Sequence, residues 1–261
     1  MPRVRVLILR AAGTNCDRET EHAWQAAGAD AQRVHIRRVA ERPELLDEYQ
    51  IFTIPGGFSY GDDIAAGRIF AARIERHLLD RLHAFVDAGK LVLGICNGFQ
   101  ILVRAGLLPF RAGQGDRTAC TVTHNRPAGF QDRWVRVRAS ESPGAFLEPG
   151  RVYEFPIAHG EGRVLFGDDP TRQRILSENR AALRYVPQSG AAVAADCEPY
   201  NPNGSDDDVA GLCDETGRVL GLMPHPERFV TWTQHPLWTS QPERDPCDGL
   251  AFFGRALAHL A

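Results

Sequence analysis

Lysine is nearly absent from this sequence: Lys90 is the only one, and arginine carries the remaining positive charge. That scarcity excludes a phosphate-binding loop of the G-x-x-x-x-G-K-[ST] kind, because Lys90 is followed by Leu91 and Val92 and leads into an apolar strand. ATP chemistry therefore calls for another chain. Also missing is any apolar run near the roughly 18 residues of a membrane span. The stretch Met1 to Arg10 begins with charged residues and a short apolar strand, unlike an export signal. A soluble, cytoplasmic protein without a membrane role is expected. Cys16, Cys96, Cys120, Cys197, Cys213 and Cys247 form no C-x-x-C pair and are too sparse for a disulfide scaffold, which fits a reducing compartment. A net charge of -3 with scattered arginines gives no basic stripe, so nucleic acid is not expected as a partner. Internal repeats and low-complexity tracts are absent too.

What is present is ordinary globular composition, 43% hydrophobic and 24% charged, in a chain of 261 residues. One compact unit, residues 1–261, is the expectation. VRVLIL at 4–9 reads as a strand, followed by a turn-rich segment and an amphipathic helix over 17–27 closed by Gly28. Strands at 31–36 and 51–54 follow, the second ending at Pro55-Gly56-Gly57. A helix over 68–88 comes next, stopped by Gly89. LVLGI at 91–95 is apolar throughout, the pattern of a parallel strand buried on both faces. The alternation predicts an α/β fold with a doubly wound, mostly parallel sheet, whose ligands gather at the carboxyl ends of the strands. Beyond Pro109 the segments TACTVTH and RWVRVRA alternate polar and apolar residues, predicting additional antiparallel strands to about Val209 with little helix. A final apolar strand over 219–223 leads into PHPER, and a helix closes the chain at 249–260. Residues 231–247, with three prolines and two tryptophans and no periodicity, read as a loop or insertion.

Gly94-Ile95-Cys96-Asn97-Gly98 has nucleophile-elbow spacing with cysteine in place of serine. A sharp strand-to-helix turn crowds the residues two before and two after the nucleophile, so glycines let the thiol stand clear. A helix N-terminus behind the sulfur favours thiolate over thiol. The main-chain N–H of Asn97 can face a developing oxyanion, and the Gly56-Gly57 pair offers a second donor. His225 and Glu227, in Pro224-His225-Pro226-Glu227, follow another buried strand and supply a base and the carboxylate that orients it. Asp62, Asp63 and His159-Gly160-Glu161 are polar clusters whose spacing matches no metal site, so no metal is assigned and solvated loops account for them equally well.

GICNGFQIL around Cys96 and MPHPER around His225 resemble the class I glutamine amidotransferases, whose fold is flavodoxin-like and whose triad is Cys, His and Glu. GTNCDRE (13–19), IPGGFSYGDD (54–63), FQDRWV (130–135), PIAHGEGR (156–163) and YNPNGS (200–205) narrow the resemblance to the glutaminase (PurQ-type) subunits of phosphoribosylformylglycinamidine synthase. These stretches cover nearly the whole chain. The resemblance implies Cys96 as nucleophile, His225 as acid/base and Glu227 as its orienter. It implies an oxyanion hole from the backbones of Gly57 and Asn97, with Gln100 and Gly56 as glutamine contacts. It further implies L-glutamine hydrolysis to glutamate and ammonia, with the ammonia used by a large PurL-type synthetase subunit to convert formylglycinamide ribonucleotide to formylglycinamidine ribonucleotide. A small PurS-type third subunit often takes part, and no cofactor is implied for this chain, ATP and Mg belonging to the synthetase. FQDRWV lacks the cysteine common before Arg-Trp, and the 231–247 loop is longer than in compact members. Two rival readings share the elbow: a cysteine hydrolase or peptidase on a similar sheet, and a regulatory module that keeps the fold without the chemistry.

Overall fold

The computed structural model describes residues 3–62, 65–111, 119–142, 144–187 and 200–261, so Asp63 and Cys197 lie outside the described residues. β1 (Arg5–Arg10), α1 (Asp17–Ala26), β2 (Asp30–His35), α2 (Ile36–Glu41), β3 (Ile51–Ile54), α3 (Arg68–His77), α4 (Leu79–Asp87), β4 (Leu91–Ile95) and α5 (Asn97–Arg104) make up the first part of the chain. There follow β5 (Cys120–His124), β6 (Gln131–Ala139), β7 (Val152–His159), β8 (Glu161–Phe166), α6 (Asp169–Ser177), β9 (Leu183–Val186), β10 (Val209–Cys213), β11 (Val219–Leu222) and α7 (Asp248–His259). Among the described residues a nine-stranded sheet has the order β2-β1-β3-β4-β11-β10-β9-β6-β7, and β5 pairs with β8 in a separate ribbon.

From β2 to β11 neighbouring strands are parallel, and from β10 to β7 they are antiparallel. The apolar run predicted as a two-sided strand is β4, buried at every position between β3 and β11. Because β3, β4 and β11 run in register side by side, with Ile54 opposite Gly94 and Ile95 opposite Leu222, the segments that leave them emerge at one edge. The loop after β1 joins them there: Phe58 N–H donates to the Gly13 carbonyl at 3.0 Å and Tyr60 N–H to that of Ala12 at 2.8 Å. The order reverses between β1 and β3, the kind of crevice where open α/β sheets bind ligands.

Several elements differ from their sequence reading. The helix predicted over 68–88 is broken at Leu78, which leaves helical geometry (φ -131°, ψ -11°) and is almost fully buried. The change of direction lets Phe70 and Ile74 of α3 and Leu82 and Phe85 of α4 all reach the core, and tertiary packing outweighs helix propensity. β2 stops one residue early because the His35 ring accepts a hydrogen bond from Arg37 N–H and caps α2. In the region read as strands alone lies α6, capped by Asp168, which accepts from Thr171 N–H at 2.8 Å. Only Ile175 of that helix is buried, so it left little periodic signal. Residues 231–247 do form a loop, yet it is pinned. Trp232 stacks on His235 with centroids 5.1 Å apart, His235 packs edge-on against Trp134 of β6, and Arg244 reaches Glu154 of β7 at 2.7 Å.

Candidate active site

Cys96 joins β4 to α5 with φ 52° and ψ -105°, backbone values that non-glycine residues rarely adopt. Its N–H donates to the Leu222 carbonyl at 2.8 Å, tying the turn to β11. The flanking glycines are required by contact: a Cβ on Gly98 would overlap the Ile54 carbonyl, and one on Gly94 would lie 2.6 Å from Gly98 O and Leu102 Cδ1. The elbow read from G-x-C-x-G is therefore a steric fact of the fold.

β11 delivers the partner residues. His225 N–H donates to the Pro156 carbonyl at 2.8 Å, and its ring Nδ1 lies 2.6 Å from Glu227 Oε1, both side chains being buried. Burial pushes the imidazole pKa down, but the charge of Glu227 and the Cys96 sulfur outweigh it, so the pKa ends raised. Gly56 separates base from nucleophile. A Cβ there would come 2.9 Å from His225 Cε1 and 3.2 Å from Cys16 Sγ, so any other residue type pushes the His225 ring out of place.

Cys96, His225, Gly57 and Gln100 line one cavity of about 520 Å³. Gly57 has φ +132° and packs against Asn15, and Asn97 opens α5, whose first N–H groups have no acceptor within the helix. Gln100 is held at both ends of its amide, accepting from Asn97 Nδ2 at 3.0 Å and donating to the Glu161 carbonyl. Asn97 in turn accepts from Ser59 Oγ at 2.7 Å. The side chain predicted to touch glutamine thus also braces the turn behind the nucleophile. Gly56 sits between the catalytic candidates, while Gly57 forms the cavity wall.

The His159-Gly160-Glu161 cluster is not a solvated loop, since all three residues line the cavity. His159 is 3% exposed, neither ring nitrogen has a hydrogen-bond partner, and burial followed by the nearby His225 pushes its pKa down to about 3. Asp62 lines the cavity too, accepting from Gly67 N–H at 2.9 Å, and burial raises its pKa. Cys16 and Arg228 were not singled out by sequence reasoning, although both stand inside the motifs that carried the resemblance. Arg228 donates to Cys16 Sγ at 3.3 Å and pairs with Glu19 at 2.9 Å. Burial first, then the charges of Glu227 and Glu19, push the Cys16 thiol well up. Although no metal site was expected from spacing, the fold brings donor atoms of Cys16, Glu19, His225 and Glu227 within 4.8 Å of one another. Cys120 and Cys213 are buried elsewhere with thiols pushed up to about 12, which leaves them inert.

A protein-family model described as CobB/CobQ-like glutamine amidotransferase domain matches residues 3–260. The chain is 39% identical over 259 residues to a phosphoribosylformylglycinamidine synthase subunit PurQ of Dehalococcoides mccartyi, covering 98% of each. It is also 39% identical to the subunit of that name from Thermus thermophilus, over 87% of this chain and 90% of the relative. Among solved structures it is similar to one described as PurLQS from Thermotoga maritima, with TM-score 0.73, 31% identity and full coverage of both chains. The glutaminase domain of Trypanosoma brucei CTPS with bound acivicin shares the fold, with TM-score 0.54, 12% identity, and coverage of 98% of this chain and 94% of that one.

Proposed function

The chain belongs to the CobB/CobQ-like glutamine amidotransferase domain family, and within it to the PurQ subunits of phosphoribosylformylglycinamidine synthase; on that premise we propose that Cys96, His225 and Glu227 carry its glutaminase reaction. It is the glutaminase subunit that provides ammonia for making formylglycinamidine ribonucleotide from formylglycinamide ribonucleotide in purine biosynthesis. Its partners are a PurL-type synthetase, which uses ATP and Mg, and a PurS-type subunit. The compartment is the cytoplasm, and no helix among the described residues is long and apolar enough to cross a membrane.

The observation that supports the catalytic assignment most directly is the meeting in one cavity of a strained elbow cysteine and a histidine–glutamate pair 2.6 Å apart. His225, whose raised pKa favours the imidazolium, holds the proton given up by the Cys96 thiol, and the Cys96 thiolate attacks the side-chain carbonyl carbon of glutamine, whose oxygen gains the charge. The N–H groups of Gly57 and Asn97 are the donors for that oxyanion, each worth about a hundred- to a thousandfold in rate. Collapse of the tetrahedral species breaks the C–N bond, and His225 returns the proton to the departing nitrogen, giving ammonia and a glutamyl thioester. Water, deprotonated by His225, then attacks the thioester and releases glutamate and thiol. Glu227 fixes the ring tautomer and offsets the imidazolium charge at both stages.

The test uses the reconstituted synthetase complex with two nitrogen sources. Cys96→Ala is expected to lower glutamine-dependent product formation by at least about a thousandfold, with ammonium-dependent formation unchanged. Glutamine-dependent activity surviving in that variant would move the nucleophile elsewhere.

A further inference from the structure

We propose that Cys16, Glu19, His225 and Glu227 form a zinc-type metal site whose occupation switches the glutaminase off. The inhibition, though not the binding, rests on the glutaminase reading above. One thiol sulfur, one imidazole nitrogen and two carboxylate oxygens within 4.8 Å of one another are a four-donor set of the kind that takes zinc. Metal–ligand distances of about 2.0–2.3 Å place tetrahedral donors about 3.3–3.8 Å apart, so the widest separations need to contract by about 1–1.5 Å while the 2.6 Å contact between His225 and Glu227 opens. Thiolate and imidazole select zinc or cobalt over magnesium and calcium, which prefer oxygen throughout.

The donors come from two short segments that are already braced together. Cys16 precedes α1 and Glu19 lies in its first turn, while His225 and Glu227 lie in the turn after β11. Cys16 N–H and the Gly56 carbonyl, 3.4 Å apart, tie the first segment to the elbow's neighbour, and Arg228 links the second to Glu19. Two donor-type atoms in this group have no partner: His225 Nε2 and Glu227 Oε2, on side chains each about 1% exposed. Buried polar atoms left unpaired are costly and call for a reason; the reaction with Cys96 supplies one for His225 Nε2, and a cation supplies one for Glu227 Oε2.

Arg228 opposes the metal. Its guanidinium contacts Cys16 and Glu19 and balances their charge, but the side chain is 34% exposed and can swing to solvent. It therefore tunes affinity without blocking the site. On coordination the Cys16 thiol and the protonated His225 ring each release a proton to solvent, and His225 then has no lone pair left to hold the proton of the Cys96 thiol.

Binding is read without turnover by titrating cobalt(II) into the intact Cys96→Ala chain, which removes the nucleophile as a rival ligand. We expect a near-ultraviolet thiolate-to-cobalt band and intense visible bands of a tetrahedral ion at one equivalent, displaced by zinc. Affinity should fall at least tenfold in Cys96→Ala/Cys16→Ser and rise in Cys96→Ala/Arg228→Gln. A thiolate band that persists without Cys16, or none in Cys96→Ala, overturns the site. In the chain with Cys96 intact, zinc should inhibit glutamine hydrolysis reversibly, EDTA restoring it, and Cys16→Ser should need at least tenfold more zinc. Cobalt binding with no effect of zinc on turnover would retain the site and reject the switch.

Discussion

At His225 two opposing effects meet on one ring. Burial disfavours the imidazolium, and the adjacent Glu227 and Cys96 favour it strongly enough to reverse the outcome. A histidine that holds its proton at neutral pH can hand it to departing ammonia. The ordering of causes gives a measurable hierarchy. Glu227→Gln should lower the His225 pKa by more than one unit, equivalent to more than about 1.4 kcal/mol, and Cys96→Ala should lower it less. Titration of the labelled ring by NMR checks this, and a value unmoved in Glu227→Gln would mean the carboxylate only orients. Cys16 differs from Cys96 in its environment: it stands among acidic groups just before α1 with negative φ, whereas Cys96 stands on a strained elbow with positive φ.

Among the elements, the β4–α5 turn allows the least change. Gly98→Ala would drive a methyl into the Ile54 carbonyl, and relieving that overlap requires β3 or α5 to shift. Overpacking of this kind costs about 3 kcal/mol, and the shift also displaces Cys96. Thermal unfolding and glutamine turnover should therefore both fall. At α6, far from the chemistry, Asp168→Ala removes one capping hydrogen bond, about 1 kcal/mol, and turnover should be unaffected. If Gly98→Ala behaved as mildly as Asp168→Ala, the steric account of the elbow would fail. The contrast also explains what the sequence could convey. β4 and the glycines around Cys96 announce themselves because burial on both faces and a crowded turn each demand particular residue types within a few positions. α6 buries one residue and the break at Leu78 serves contacts with other elements, so neither leaves a local pattern. Cys16 was invisible as a neighbour of His225 for a related reason: 209 positions separate them, and only the closure of the β1 loop onto the β3 loop brings them together.

For the molecule as a whole, the site is a place where stability has been given up, and the loss should appear as pH sensitivity. His159, in the cavity wall, has an ordinary value of 6.5 when unfolded and is pushed down to about 3 in the fold. Between those values the unfolded chain binds a proton that the folded chain refuses. Its contribution is therefore intact above about pH 6.5 and declines as the pH falls toward 3, by up to about 1.4 kcal/mol per pH unit. His225 has the opposite sign, contributing fully below pH 6.5 and less as pH rises through its raised folded value. Acid loss between pH 7 and 5 is thus assigned to the histidines that burial holds neutral, His159 foremost and His83 beside it. Urea unfolding at pH 7, 6 and 5 should show stability falling in the unmodified chain, and His159→Leu should flatten that slope by about 1 kcal/mol per unit. Because the readout is a slope, it holds whether Leu raises or lowers stability at pH 7. Parallel slopes in the two proteins would mean that His159 finds a partner, and then its unpaired nitrogens could not be what makes the folded chain sensitive to acid.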